Sequence, residues 1–126
     1  MLEQSATVWH SSLSQENIDD LERVQKSALK VIFQENYKGY KKSLNLLDLS
    51  TLSERRDQLC LSFAQKCAKN PKTKDMFPLK NKSHIMETRK HDKYLVQHAN
   101  TERLKNSSII FMQNMLNEHE RQKQEI

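Results

Sequence analysis

The sequence predicts a mainly α-helical fold, a small bundle of three to four helices with a long irregular basic segment and frayed termini. Three observations lead there. The 126 residues include one glycine and two prolines, too few for the frequent reversals of a β-sandwich. Two long stretches repeat apolar residues at three-to-four spacing, the period of a helix with one buried face. Apolar residues make up 36% of the chain, below the roughly 45–50% of an average globular protein, so one domain with a thin core is expected.

Residues 1–13 hold Val8 and Trp9 with little around them to bury either, and they read as the end of a preceding element. Residues 14–70 form a helical module. Ser14 is a candidate N-cap, and Ile18, Leu21, Val24, Ala28, Leu29 and Ile32 share one helical face. Glu22 stands four residues before Lys26, the favourable order for an exposed ion pair. The pattern stops at Gln34-Glu35-Asn36, where Asn can close a helix in the left-handed conformation. Tyr40, Leu44 and Leu47 then define a short helix beginning at or after Gly39.

Thr51-Leu52-Ser53-Glu54 is a capping box that opens a longer helix. Its expected stripe is Leu52, Leu59, Phe63 and Cys67, widened by Cys60, Ala64 and Ala68, and Asn70-Pro71 ends it. Residues 71–106 show no sustained period, apart from the apolar island Met76-Phe77-Pro78-Leu79, which could dock on the helices. Residues 107–126 contain a last helix, capped by Ser107 or Ser108 and running through Ile109, Ile110, Met112, Met115 and Leu116. Beyond Asn117 no apolar face continues, so the tail is expected to fray.

The net charge of +5 has an address. Residues 66–93 hold nine Lys/Arg against three Asp/Glu, a surplus of six, while the flanks are at −1 and zero. A basic block of this kind suits phosphate backbones or acidic partners, and equally a solvated loop. No stretch reaches the roughly 18 apolar residues of a membrane span, and the first residues lack the pattern of a secretory signal. An intracellular chain, in cytoplasm or nucleus, is expected.

Catalytic chemistry finds few footholds. One glycine is too few for a P-loop or a dinucleotide fingerprint. Cys60 and Cys67 lie seven apart on one helix, roughly 10 Å along its axis, beyond the about 7 Å that a disulfide allows; they read as small buried residues. His84, His91 and His98 recur every seven residues without the spacing of a zinc site. Asp19-Asp20 reads as first-turn acid suited to the helix dipole. Arg55-Arg56 opposes the dipole at the start of its helix, which calls for either an internal ion pair with a carboxylate of the first helix or a phosphate contact. No catalytic, metal, disulfide or small-molecule site is expected.

The order of these features matters as much as their identity. Leu2-Glu3 and Val8-Trp9-His10 precede Leu21-Glu22-Arg23-Val24-Gln25-Lys26-Ser27-Ala28-Leu29-Lys30. Then come Tyr40, Leu44, Leu49, Leu52, Glu54-Arg55-Arg56, Leu59-Cys60, Phe63-Ala64 and Asn70-Pro71. Phe77-Pro78, Thr101-Glu102-Arg103-Leu104-Lys105-Asn106-Ser107 and Met115-Leu116-Asn117 close the series. Over nearly its whole length the chain resembles the C-terminal, post-palm region of reverse transcriptases from non-LTR retrotransposons of the jockey type. It departs from them at Gln4-Ser5, where the family usually has Tyr-Ala, and at Thr7, usually Pro.

The resemblance implies a thumb-like helical region of an RNA-directed DNA polymerase that grips the RNA/DNA template–primer behind the active site. It also implies that the polymerase domain and its magnesium-binding aspartates lie upstream, so the chain alone holds no cofactor and is not an enzyme. The residues expected to meet phosphates are Arg55, Arg56, Lys66, Lys69, Lys72, Lys74, Lys80, Lys82, Arg89, Lys90 and Lys93. Phe77 and Tyr94 are sparse aromatic company for them, which argues little for base stacking. The alternative is a helical protein-interaction module working through the stripe around residues 21–32, with no nucleic-acid role.

Overall fold

The computed structural model of the chain describes residues 4–80 and 92–125. The chain is mainly helical. Three long helices, α2 (Gln15–Phe33), α4 (Leu52–Lys69) and α6 (Ser108–Gln124), are joined by three short ones: α1 (Ala6–Trp9), α3 (Tyr40–Leu46) and α5 (Glu102–Lys105). Short 3₁₀ turns at His10–Ser12, Gln34–Asn36 and Lys74–Met76 punctuate them. Helix α4 is the hub and packs against α1, α2 and α6, while α3 rests on α2 and α5 on α6.

The local signals act where they stand. Ser14 caps α2 by accepting from Asn17 N–H. Thr51 and Glu54 form both bonds of the capping box at α4, satisfying two donors that a helix start otherwise leaves bare. Gly39, at φ +122°, turns the chain into α3, a conformation that L side chains rarely adopt. Asn36 does not close α2. Gln34 takes the positive φ of +45° three residues after Val31, once the helix has ended at Phe33.

Helix α4 turns inward only one flank of its expected stripe, the side of Cys60, Ala64 and Cys67, together with Arg56. Arg56, Cys60, Ala64 and Cys67 are buried, whereas Leu59 and Phe63 are exposed. Cys60 and Ala64 are small, and small side chains let helices approach closely; α6 packs along this side. The core cluster is Ala64, Cys67, Phe77, Met112 and Leu116, with Leu61, Ala68 and Tyr94 packed against it. Phe77, from the apolar island, is therefore a core residue. Cys60 and Cys67 are free and buried, and burial, with the charge of Asp57 adding and Arg56 opposing, pushes the Cys60 thiol up to about 11.

Helix α2 buries Leu29 and half-buries Ile18, Leu21 and Phe33. Val24, Ala28 and Ile32, expected on the same face, are exposed. Glu22, expected to pair with Lys26 in solvent, turns inward instead. It accepts from the Tyr40 hydroxyl and, at 2.8 Å, from Ser53 N–H. Burial first, and then the Glu22 carboxylate, push the Tyr40 phenol well above its ordinary value. Asp19 and Asp20 lie in the second turn rather than the first, where they meet Gln15 and Arg23 respectively.

The C-terminal tail remains helical to Gln124 rather than fraying after Asn117. The reason is a contact the sequence did not display. Asp92 receives Arg121 Nε at 2.8 Å and Arg121 Nη2, and Lys80 Nζ stands 3.5 Å from its other oxygen. Within residues 71–106 the chain also forms α5, capped by Thr101, and an antiparallel bridge between Leu79 and Tyr94.

Candidate functional site

The expected phosphate-contacting residues separate into distinct groups. Lys66 and Lys69 project from the last turns of α4, and Lys72 and Lys74 follow in the turn beyond it; all four are exposed. Among the described residues none of the four has an acidic partner. Positive charge at a helix C-terminus also suits the dipole, which accounts for Lys66 and Lys69 but not for Lys72 and Lys74. Lys80 and Lys93 are engaged, Lys80 with Asp92 and Lys93 at 4.0 Å from Glu120. Lys82, Arg89 and Lys90 lie outside the described residues, as do His84 and His91. His98 is exposed.

Arg55 is exposed, but Arg56 cannot meet a phosphate. It is 0% exposed, the largest fully buried side chain of the chain as described. Nor is its partner a carboxylate of α2. Arg56 Nε donates to His10 Nδ1 at 3.3 Å, and its Cζ lies 5.8 Å from the centroid of the Trp9 ring. Because Nδ1 accepts, Nε2 is the ring donor, and it reaches Asp57 Oδ1 at 2.6 Å. Arg56 Nη1 and Nη2 find no acceptor among the described residues. The relay from Arg56 through His10 to Asp57 binds α1 and its following 3₁₀ turn to α4, and Phe111 of α6 meets the His10 ring edge-on at 5.7 Å. The positive charge that looked misplaced on α4 is an internal fastening.

Two buried amides on α6 organise the irregular segments. Gln113 donates to Met76 O at 2.8 Å and accepts from Gln97 N–H at 3.1 Å. Asn117, one turn later, accepts from Tyr94 N–H at 2.9 Å and donates to Tyr94 O at 3.0 Å. Each amide uses a donor and an acceptor on backbone that is outside any α-helix, so groups that burial would leave bare are satisfied. The sequence held a signal for this. Gln113 and Asn117 share the α6 face of Ile110 and Leu116, and a polar residue inside an apolar stripe needs a specific partner.

These clamps shape a groove of about 570 Å³ between the 3₁₀ turn and the bridged segment, with Lys74, Asp75, Pro78, Leu79, Lys93 and Tyr94 along it. Its mouth is open and its walls are apolar between charged rims. A second groove, about 260 Å³, runs beside α1 between Thr7 and the exposed face of α4, where Leu59, Phe63 and Lys66 stand. No cluster of His, Cys, Asp or Glu among the described residues could hold a metal ion. No helix among them is long and apolar enough to cross a membrane.

Comparison with models of protein families, with curated proteins and with solved structures found no match to this chain. Its function therefore has to be read from the residues and their placement.

The Asp92 ion pair makes a testable statement about pH. Burial alone would raise this carboxyl; the hydrogen bond and charge of Arg121, with Lys80 behind them, outweigh it and hold it below its ordinary value. A carboxyl depressed in the folded state stabilises fully above its unfolded value of roughly 4, and that contribution is lost as pH falls through the folded value. Asp92→Asn should cost about 1–2 kcal/mol at pH 7, as expected for hydrogen bonds to a charged group in a partly exposed pair. The gap between wild type and variant should close as pH falls below about 4 and through the depressed folded value. Urea unfolding of both proteins across that range measures it, and equal stability at pH 7 would contradict the role given to Asp92.

Proposed function

We propose that this chain is a thumb-like, post-palm helical region of a non-LTR retrotransposon reverse transcriptase of the jockey type, which contacts the phosphate backbone of template–primer and has no catalysis of its own. The observation that supports it is the run of exposed lysines Lys66, Lys69, Lys72 and Lys74 at one end of α4, without acidic partners among the described residues. Arg55 is the further contact on the same helix, and Lys93 borders the adjoining groove. Lysines in number, rather than in fixed geometry, are what a sequence-independent grip on phosphates needs. The ordered resemblance described above names the enzyme family, and the helical hub built on α4 gives the lysines a rigid base.

The test is a salt titration. Binding of the chain to a labelled RNA–DNA duplex, followed by fluorescence anisotropy, should weaken steeply with salt. Replacing Lys66, Lys69, Lys72 and Lys74 together by glutamine should flatten the logarithmic slope by about 3–4, since each phosphate contact contributes roughly 0.9 on duplex. Absent or salt-insensitive binding to any nucleic acid would overturn the proposal.

A second reading, a protein-interaction module, draws on another observation. Val31 and Ile32 are 73% and 65% exposed on α2, with Val24 about two turns earlier. That flank is apolar and uncovered in the isolated chain, and apolar patches of this kind commonly mark interaction surfaces. A chain whose nucleic-acid affinity ignores the four lysines but which assembles through Val31 and Ile32 would favour this reading over the first.

A further inference from the structure

We infer that the groove between Lys74 and Tyr94 takes an unpaired nucleotide of a single strand, with the base against Tyr94 and Leu79 and the flanking phosphates on Lys74 and Lys93. This rests on the proposed contact with nucleic acid and adds to it a site for a strand outside the duplex. The groove, at about 570 Å³, falls within the roughly 300–1,000 Å³ usual for small-ligand sites. Its rims carry Lys74 and Lys93, and its apolar surface is supplied by Pro78, Leu79 and Tyr94. Cations beside an aromatic face are the combination that single strands use, because every base has a π-face and every linkage a charge.

The frame is fixed before any ligand arrives. Asn117, itself only 2% exposed, takes both the N–H and the C=O of Tyr94. Across the bridge, Lys80 N–H donates to Lys93 O at 3.1 Å and Leu95 N–H to Pro78 O at 2.7 Å. Gln113 holds the opposite wall at Met76 O. The ring of Tyr94 is thus held by its backbone and remains partly exposed, with Lys93 Nζ 5.6 Å from its centroid. Asp75 is the one acid on the groove among the described residues; it repels a phosphate at its own end and leaves the phosphate positions to the two lysines. Lys74 has no acidic partner among the described residues, and Lys93 has only the long contact with Glu120.

The experiment compares a fluorescein-labelled ten-nucleotide oligouridylate with a blunt duplex. Tyr94→Leu should weaken binding of the single strand about tenfold and leave the duplex within twofold, since stacking on one aromatic residue is lost and the lysines remain. Tyr94→Phe should restore the single-strand affinity. Lys74→Gln with Lys93→Gln, both at exposed positions, should flatten the single-strand salt slope by about 1–2. Irradiation of a strand carrying 5-iodouracil should cross-link it to the wild-type peptide that contains Leu79 or Tyr94, a readout independent of any variant. If Tyr94→Leu binds the strand as wild type does, or the cross-link falls elsewhere, the groove proposal fails while the duplex reading stands. If neither nucleic acid binds, both fail. Binding of an acidic peptide in place of the strand, displaced by the same double lysine variant, would overturn the assignment of the ligand.

Discussion

Phe77→Ala should destabilise the chain by about 3–5 kcal/mol, the usual cost of truncating a buried aromatic side chain to alanine. Phe77 is 3% exposed and touches a cluster drawn from three places in the sequence: Ala64 and Cys67 on α4, Met112 and Leu116 on α6, and Phe77 itself from the turn between them. Removing the ring leaves a cavity that α4 and α6 cannot close without losing their own contact, and the transfer and cavity terms add. Stability of a domain this size is commonly 5–15 kcal/mol, so the loss is a large fraction of the whole. Urea unfolding followed by circular dichroism gives the number. Phe77→Leu, which keeps most of the volume, should lose much less. A Phe77→Ala protein with an unchanged urea midpoint would show that the island does not belong to the core.

Arg56 should rank its replacements in an unusual order. Arg56→Ala should cost about 2–4 kcal/mol, because it opens a cavity beside Trp9 and leaves His10 Nδ1 without its donor. Arg56→Lys should be no better. Lysine keeps a fully buried charge but loses the planar group that lies over Trp9 and the Nε–H that meets His10. Arg56→Met should lie between alanine and wild type, about 1–2 kcal/mol below wild type: it fills the space beside Trp9 but, like alanine, leaves His10 Nδ1 without its donor. The two nitrogens of Arg56 without an acceptor among the described residues add nothing to that loss. Thermal and urea denaturation of the three variants settles the order, and a lysine variant as stable as wild type would refute it.

Both predictions concern residues whose types were plain in the sequence and whose positions were not. Phe77 stood out as part of a small apolar island, but nothing in a single chain said which helices would receive it. Arg56 broke the dipole rule, and that flagged it correctly as a residue with business elsewhere. The choice between phosphate and interior then depended on His10, 46 positions away, and no local pattern reaches so far.

The candidate interface divides along the same line. The surplus of lysine between residues 66 and 93 is a matter of counting, and the exposure of Lys66, Lys69, Lys72 and Lys74 follows from the cost of burying a charge. The groove beside them could not be counted. It exists because Gln113 and Asn117, whose place in the apolar stripe of α6 says that they need partners but not which, clamp backbone from residues 76, 94 and 97.

What the sequence by itself determined was a set of helix ends governed by interactions within about one turn: the Ser14 cap, the Thr51–Glu54 capping box, the entry at Gly39 and the stop at Asn70-Pro71. These depend on hydrogen bonds and dihedral limits that neighbours in the chain supply to one another. Only the tertiary structure decided which face of α4 turns inward, where Glu22 and Arg56 find partners, and why α6 stays helical to Gln124. An apolar stripe on a thin-cored helix is broad enough to permit several rotations. The small side chains of Cys60 and Ala64 suit the observed one, because they let α6 pack closely on that side.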